Sequence, residues 1–176
     1  KEPHPTPSQV TPAAWAEAME KIVEDGDTAV VITISSKLSG TYQSACIAAE
    51  DFEGKVFVVD SMTATIGERL LLLYGVRLAA DGLDAAVIAQ RLDAVKDRIR
   101  IYGRIDTLEY LRKGGRIGAA SAAVGTMLNI KPIISVQDGV VQNVGKARGA
   151  KMADKQLREL IAKSGGIGFS KPMCAA

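Results

Sequence analysis

The sequence predicts an α/β fold in which helices cover a parallel sheet. Residues 29–34 form an apolar run with the length and the Val and Ile content of a buried strand, and residues 55–61, with Val and Phe at 56–59, are expected to be a second strand. Small polar residues follow each run, and a helical pattern follows them. Strands that alternate with helices are typical of a parallel sheet, because parallel neighbours must be joined by a crossover connection. The first domain is therefore expected to be a helix-covered parallel sheet.

This domain begins with a polar loop and a helix. Residues 1–12 contain four prolines and are expected to be extended. Thr11 followed by Pro12 indicates a helix start, since a hydroxyl residue favours the N-cap and proline favours the first helical position. The helix is expected to extend to about Glu24, where residues 25–27 (Asp-Gly-Asp) end it before the first strand.

Three more helices and a short strand complete the predicted first domain. The helices are expected over residues 40–50, 64–80 and 84–99. Residues 70–73 are all leucine, so this part of its helix is apolar all round and is expected to be well buried. Residues 100–106 are expected to be a third strand of the same sheet.

A domain boundary is expected where glycine and small residues begin. Residues 107–113 predict a short helix that ends at Gly114 and Gly115, and residues 119–127 predict a helix of small residues. We expect residues 1–117 to form the first domain, without its first strand. Residues 118–176 are expected to form part of a second, smaller α/β domain, because they are near the lower size limit for a self-supporting core.

A β-hairpin is expected in this second part. The runs 131–136 and 140–144 have strand character, and the Asp138-Gly139 pair between them is a strong hairpin signal. An amphipathic pattern then predicts a final helix over residues 152–162.

Composition narrows the classes of function. The chain of 176 residues is 47% hydrophobic and 24% charged, with a net charge of +2. This balance does not favour a nucleic-acid surface, which needs clustered positive charge. Cys46 and Cys174 have no metal-ligand spacing and form no disulfide framework, and Cys46 is expected to be a small buried residue of a helix. No run has the length of a membrane span and no signal peptide begins the chain, so a cytoplasmic location is expected.

Residues 34–45, Ile-Ser-Ser-Lys-Leu-Ser-Gly-Thr-Tyr-Gln-Ser-Ala, are the expected binding site. They join a strand to a helix, and ligands of open α/β sheets collect at the carboxyl ends of strands. The free N–H groups of a helix's first turn can receive an anion there. Ser39 is the expected contact, and the alternative is that Ser39 only caps the helix. The two roles are compatible.

This stretch resembles the central motif of the DegV family of bacterial lipid-binding proteins. Residues 106–117 (Asp-Thr-Leu-Glu-Tyr-Leu-Arg-Lys-Gly-Gly-Arg-Ile) are similar to the family's second signature. Residues 129–133 and 145–148 are similar to a third and a fourth, in family order. The resemblance implies a two-domain α/β protein that encloses one long-chain fatty acid between its domains. It also implies a carrier without cofactor or metal, which presents the fatty acid to a separate fatty acid kinase.

The resemblance also implies site residues. The carboxylate contacts of the family come from the serine at position 39, with Gly40 beside it, and from a threonine in an upstream segment. That threonine position falls on Pro7, which has neither a hydroxyl nor an N–H group. Either Thr6 or Ser8 replaces it, or Ser39 and backbone amides suffice. The arginine that handles the acyl phosphate maps to Arg148.

Two parts of the family pattern are not found in the sequence. The family's first strand, with an Asp-Ser-Thr type segment, is absent before Lys1, and so is the His-containing C-terminal section, since the one histidine is His4. The chain begins without Met, so an upstream segment is expected to be missing. A non-binding remnant is therefore one alternative to the carrier.

Enzymatic alternatives depend on three polar features. Asp60 and Asp106 follow strands and have the chemistry of general bases, but such residues more often cap the next helix. Residues 113–116 (Lys-Gly-Gly-Arg) are suited to a phosphate or, equally, to a helix C-cap. A phosphotransferase-like enzyme that uses such Gly-rich turns is the second hypothesis, although it needs a cluster of metal-binding carboxylates that the sequence does not show. The chain also has aliphatic residues suited to an acyl-chain tunnel, each of which is equally an ordinary core residue: Leu70 to Leu73, Ile88, Leu92, Val124, Met127 and Leu128.

Overall fold

The computed structural model describes residues 8–118, 120 and 129–166. Its internal contacts divide the chain into two compact units, one up to Ile99 and one from Arg100. Each unit has its own sheet and is described by itself.

The sheet of the first unit consists of two parallel strands. Strand β1 (Ala29–Thr33) pairs with β2 (Val56–Asp60), with Ala29 opposite Val56 and Thr33 opposite Asp60. The register brings the carboxyl ends of both strands to the same level. The predicted mixed α/β fold with a parallel sheet is confirmed.

Helices cover this sheet, as predicted. They are α1 (Pro12–Glu24), α2 (Thr41–Ala49), α3 (Ile66–Ala80) and α4 (Ala85–Lys96), and a short 3₁₀ helix (Glu50–Phe52) follows α2. Successive strand residues pack into two different clusters, as expected when both faces of a sheet are covered. The first cluster consists of Val59, Leu71, Leu78, Ile88, Ala89 and Leu92, and the second of Met19, Ala29, Ala45, Ala48 and Val56.

Helix α1 begins as its sequence predicts. The Thr11 hydroxyl accepts a hydrogen bond from the amide of Ala14 at 3.3 Å, and Pro12 is the first helical residue. Proline costs nothing at this position, because the first amides of a helix have no partner within the helix. Met19, which is 1% exposed, anchors the helix to the sheet.

The expectation for residues 70–73 is wrong. Leu71 is 1% exposed, but Leu72 and Leu73 are about half exposed, at 51% and 50%. The physical reason is the helical period, since four consecutive residues cover more than a full turn and α3 packs on the sheet by one face. That face consists of Gly67, Leu71, Gly75 and Leu78.

The second unit contains an antiparallel sheet in the order β3-β4-β5. Strand β3 (Tyr102–Arg104) pairs with β4 (Ile130–Gln137), and β4 pairs with β5 (Val140–Arg148). Asp138 and Gly139 form the predicted hairpin turn with φ angles of +50° and +76°, as a type I′ turn requires. Helices α5 (Glu109–Lys113) and α6 (Ala150–Lys163) belong to this unit.

The assignment of β3 to the first sheet is therefore wrong. Gly103 lies opposite Ile134 of β4, so the strand is a member of the second unit's sheet. Arg104 also forms an ion pair with this unit, since its Nε lies 2.9 Å from Asp154 Oδ1 on α6. These contacts place residues 100–117 with the second unit. The predicted domain boundary after Ile117 concerns the domains of the whole protein and stays a prediction. The predicted helix over residues 119–127 lies outside the described residues, apart from Ala120.

Among the helices of the described residues, none has the length and apolar content needed to cross a membrane.

Candidate functional site

The turn after β1 holds Ser39 by backbone and side-chain hydrogen bonds. The carbonyl of Ser35 accepts the amides of Leu38 at 2.9 Å and of Ser39 at 3.2 Å. The Ser39 hydroxyl accepts the amide of Thr41 at 3.2 Å, and its Oγ lies 2.9 Å from Thr41 Oγ1. Ser39 is half-buried, so its hydroxyl is fixed in direction and still reachable.

Helix α2 begins two residues after this serine, at Thr41. Gly40 is the N-cap residue and gives no side-chain cap, while Ser44 donates to the Gly40 carbonyl at 3.0 Å. In the part of the chain that the structure describes, the amides of Tyr42 and Gln43 have no hydrogen-bond acceptor. These two N–H groups, at the positive end of the helix dipole, are suited to an anion. Ser39 thus bonds the first amide, and the described residues provide no acceptor for the next two.

The segment after Ser8 lies against the same turn. A Cβ atom on Gly40 would collide with Gln9 Oε1, so the end of the Gln9 side chain lies directly against Gly40. Gln9 Nε2 also lies 3.5 Å from the hydroxyl of Ser44, which is 3% exposed. Ser8 itself is exposed, and Thr6 and Pro7 lie outside the described residues. Gln9 is a contact that the sequence did not predict, because nothing local links it to residue 40.

Asp60, at the end of β2, joins the turn to the neighbouring loop. Its carboxylate accepts the amide of Ser36, at 3.2 Å to Oδ1 and 3.3 Å to Oδ2, and the amide of Met62 at 2.9 Å. The Ser35 amide also donates a hydrogen bond to the Thr63 carbonyl at 2.9 Å. The expectation that Asp60 is a helix cap or a general base does not describe this geometry, in which its oxygens are engaged by backbone amides.

The protein-family comparison identifies the chain. The model of the DegV family, described as an uncharacterised protein family, matches residues 1–171. The chain belongs to the DegV family. A DegV domain-containing protein of Deinococcus radiodurans is 40% identical over 159 residues, which are 90% of this chain and 57% of that protein. This DegV chain therefore spans about 57% of the length of that curated relative.

Solved structures give the same family. A DegV protein of Thermus thermophilus, described by its fatty acid binding, is 36% identical with a TM-score of 0.85, over 92% of this chain and 58% of the other. A stearic-acid-binding protein of Eubacterium ventriosum is 31% identical with a TM-score of 0.80, over 89% of this chain and 55% of the other. The predicted family and the predicted α/β fold are both confirmed.

Two side chains of the first unit have altered acidity. The hydrogen bond of Tyr42 to Cys46 and partial burial raise the pKa of Tyr42 to about 12. Burial raises the pKa of Glu68, in the first turn of α3. Tyr42 therefore stays a neutral hydrogen-bonding group at physiological pH. Cys46 is only partly buried, whereas a buried residue was expected.

The second unit of the DegV chain carries Arg148, the predicted contact for an acyl phosphate. Arg148 is exposed at the end of β5, opposite Ile130 of β4. Gly114 ends α5 as its C-cap, and Arg116 Nη1 donates to the Gly114 carbonyl at 2.6 Å. Of the two interpretations of residues 113–116, the structure shows the helix C-cap.

Asp106 has a different role from the predicted cap. The first amide of α5, on Glu109, instead donates to the hydroxyl of Thr107 at 3.1 Å. Asp106 Oδ1 accepts a bond from Lys131 Nζ at 2.8 Å, which lowers the pKa of the Asp106 carboxyl. The expectation was wrong because the partner of Asp106 comes from a strand 25 residues away.

The acyl-chain tunnel stays a prediction, because its expected lining includes residues of both units and residues outside the described ones. An open groove of about 520 Å³ lies at the C-terminal end of α2, beside β2, and Ser39 is not part of it. Ile88 and Leu92 are buried core residues, and Val124, Met127 and Leu128 lie outside the described residues. Within the described ranges, no group of three or more His, Cys, Asp or Glu side chains is arranged to hold a metal ion. The groove is lined by Cys46, Ala49, Glu50, Glu53, Gly54, Val56, Phe57 and Val58.

Proposed function

We propose that this DegV protein binds one long-chain fatty acid and holds its carboxylate at Ser39 and the start of α2. The observation that carries the proposal is a pair of amides, on Tyr42 and Gln43, that have no acceptor among the described residues and lie beside a fixed hydroxyl. The Thermus thermophilus and Eubacterium ventriosum relatives, described as fatty-acid-binding and stearic-acid-binding, support this class of ligand. A carboxylate that leaves water must be hydrogen-bonded, and bonds to a charged acceptor are the stronger ones.

The hydroxyl pair can serve the ligand without rearrangement. A hydroxyl has one donor hydrogen and two acceptor lone pairs. Ser39 Oγ accepts the Thr41 amide and can also accept the Thr41 hydroxyl, whose oxygen lies 2.9 Å away. The Ser39 hydrogen is then free to point at a carboxylate. Bonds in such a chain strengthen one another, so Thr41 makes Ser39 a better donor.

The proposed head-group site has two alternatives for its remaining contacts. Thr6 or Ser8 takes the place of the threonine that falls on Pro7, or the amides at Gly40 and beyond suffice. The position of Gln9 against Gly40 supports an upstream contact, since Ser8 is its neighbour in the chain. Enclosure of the acyl chain between two domains, and contact of an acyl phosphate with Arg148, stay predictions from the family resemblance.

We propose a carrier rather than an enzyme. Asp60 is occupied by backbone amides, and the Gly-rich turn at residue 114 is a helix C-cap, so neither supports the phosphotransferase alternative. Presentation of the fatty acid to a separate kinase, and a cytoplasmic location, belong to the same proposal.

Native mass spectrometry of the protein purified from a bacterial host tests this function. We expect a population heavier by the mass of one long-chain fatty acid, and its loss on denaturation with recovery of the free acid. The Ser39→Ala protein is expected to retain less of it. A protein that carries no acyl chain and does not bind added palmitic, stearic or oleic acid would refute the carrier. ATP binding with phosphate release by the protein alone would favour the enzyme.

A further inference from the structure

Asp60 is a buried carboxylate at the edge of the sheet where the proposed ligand binds. It is 9% exposed, and among the described residues no lysine or arginine forms an ion pair with it. A negative side chain beside an anion site opposes binding of the anion, so Asp60 is poorly suited to touch the ligand. Its hydrogen bonds show where its charge is compensated, namely by the amide of Met62 at 2.9 Å and by the amide of Ser36 at 3.2 and 3.3 Å.

A continuous set of bonds leads from Asp60 to Ser39. The amide of Ser36 is held by both carboxylate oxygens, which fixes the peptide group between Ser35 and Ser36. That peptide group includes the Ser35 carbonyl, which accepts the amides of Leu38 and Ser39. Asp60 therefore fixes the direction of the Ser35 carbonyl through the Ser36 amide. The Ser35 carbonyl in turn fixes the position of Ser39 by accepting its amide.

The second loop is shaped by the same carboxylate. Met62 has a φ of +51°, which is uncommon for a residue with a side chain, and its amide donates to Asp60 Oδ1 at 2.9 Å. Ser35 then donates to the Thr63 carbonyl of this loop at 2.9 Å, and Ser35 is fully buried. One side chain thus joins the two loops that follow the two strands.

We propose that Asp60 is a positioning residue, which sets the turn from Ser35 to Ser39 so that the Ser39 hydroxyl and the start of α2 can receive a fatty-acid carboxylate. The inference rests on the proposed function and names a residue that acts through Ser39 without touching the ligand. An asparagine would keep the shape of the side chain but present an NH₂ group to an amide donor, so at least one of the bonds is lost.

The test compares Asp60→Asn, Ser39→Ala and the double variant in binding of the tightest-bound acid among palmitic, stearic and oleic acid. The alcohol of the same chain length is the second probe, because it uses the acyl-chain contacts without a carboxylate. Asp60→Asn is expected to weaken the acid at least tenfold and the alcohol less than twofold. The double variant is expected to bind the acid no more weakly than Ser39→Ala, since groups that act as one unit are not additive. Asp84→Asn, the same change at an exposed position, is the matched control and is expected to bind like the unmodified protein.

Three results would overturn the inference and leave the carrier intact. The first is that Asp60→Asn binds the acid as tightly as the unmodified protein does. The second is that Asp60→Asn weakens binding of the acid and of the alcohol equally. The third is that the affinity losses of the two single variants multiply in the double variant. Failure of the unmodified protein to bind any of the three acids would refute the proposed function and the inference together.

A measurement on the unmodified protein covers the case in which Asp60→Asn does not fold. The side chain of Ser36 is exposed, so its amide would exchange quickly with solvent hydrogen without an acceptor. The bond to Asp60 predicts slow exchange of the Ser36 and Met62 amides, comparable with that of the Ser35 amide. Fast exchange at Ser36 would show that Asp60 does not hold the turn.

Discussion

Replacement of Ser39 by alanine separates the ligand role of this residue from its role in the turn. The change deletes one hydroxyl, which accepts the Thr41 amide at 3.2 Å and lies 2.9 Å from the Thr41 hydroxyl. Without it, the first amide of α2 loses its acceptor in the protein, but the half-buried position lets water replace it. By analogy with lost helix caps, we expect unfolding to become easier by about 0.5–1 kcal/mol.

The expected loss in ligand binding is larger. One hydrogen bond to a charged group contributes about 1.5–3 kcal/mol, which corresponds to roughly 10–150-fold in affinity. The backbone amides of Tyr42 and Gln43 are unchanged by the substitution, so binding should be weakened and not abolished. Calorimetric titration with the tightest-bound fatty acid measures the affinity, and urea unfolding measures the stability.

Ser135→Ala is the matched control for this prediction. It makes the same chemical change at a buried serine of β4, in the second unit, and is expected to leave affinity unchanged. An affinity of Ser39→Ala within twofold of the unmodified protein would refute the carboxylate contact. If the loss of binding free energy is no larger than the loss of unfolding free energy, Ser39 acts only as a cap.

Three further predictions concern the fold. Leu92→Ala is expected to lower the free energy of unfolding by about 2–5 kcal/mol in urea, because Leu92 is 0% exposed, while Val87→Ala on the same helix, at 37% exposure, should cost far less. Ser135→Ala should leave stability unchanged or raise it by about 1 kcal/mol, since its buried hydroxyl has no partner in the described structure; a clear loss in urea would contradict this. The pKa of Tyr42, raised to about 12, predicts that the stability from its neutral form is full below pH 10 and is lost as pH rises through 12. Tyr42→Phe should therefore lose less stability than the unmodified protein between pH 10 and 12, and equal losses would contradict the shift.

The sequence was sufficient where a local pattern determines the element. The run from Ala29 to Ile32 is apolar throughout, as expected for a strand whose sheet is covered on both faces, and this is a property of the run itself. The Asp138-Gly139 turn is equally local, because both residues must adopt positive φ. The start of α1 at Thr11 and Pro12 follows from capping within three residues.

The sequence was insufficient where a contact with a distant part of the chain determines the position or role of a residue. Strand β3 has only three residues, and its place is set by pairing with β4, which begins 26 residues after it ends. The exposure of Leu72 and Leu73 depends on which face of α3 meets the sheet. The role of Asp60 depends on the amide of Ser36, 24 residues earlier in the chain. Ser39 was found by its motif, but the contact of Gln9 with Gly40 has no local signal.

The register of β1 and β2 has a consequence for folding kinetics. Thr33 lies opposite Asp60, and this pairing brings the Asp60 carboxylate to the Ser36 amide. A slip of one residue would turn Asp60 to the other face of the sheet and release the turn. Parallel strands joined through a helix pair late, because the intervening loop must close first. Recovery of fatty-acid binding during refolding should therefore lag behind helix formation, and it would report correct strand pairing more directly than circular dichroism does.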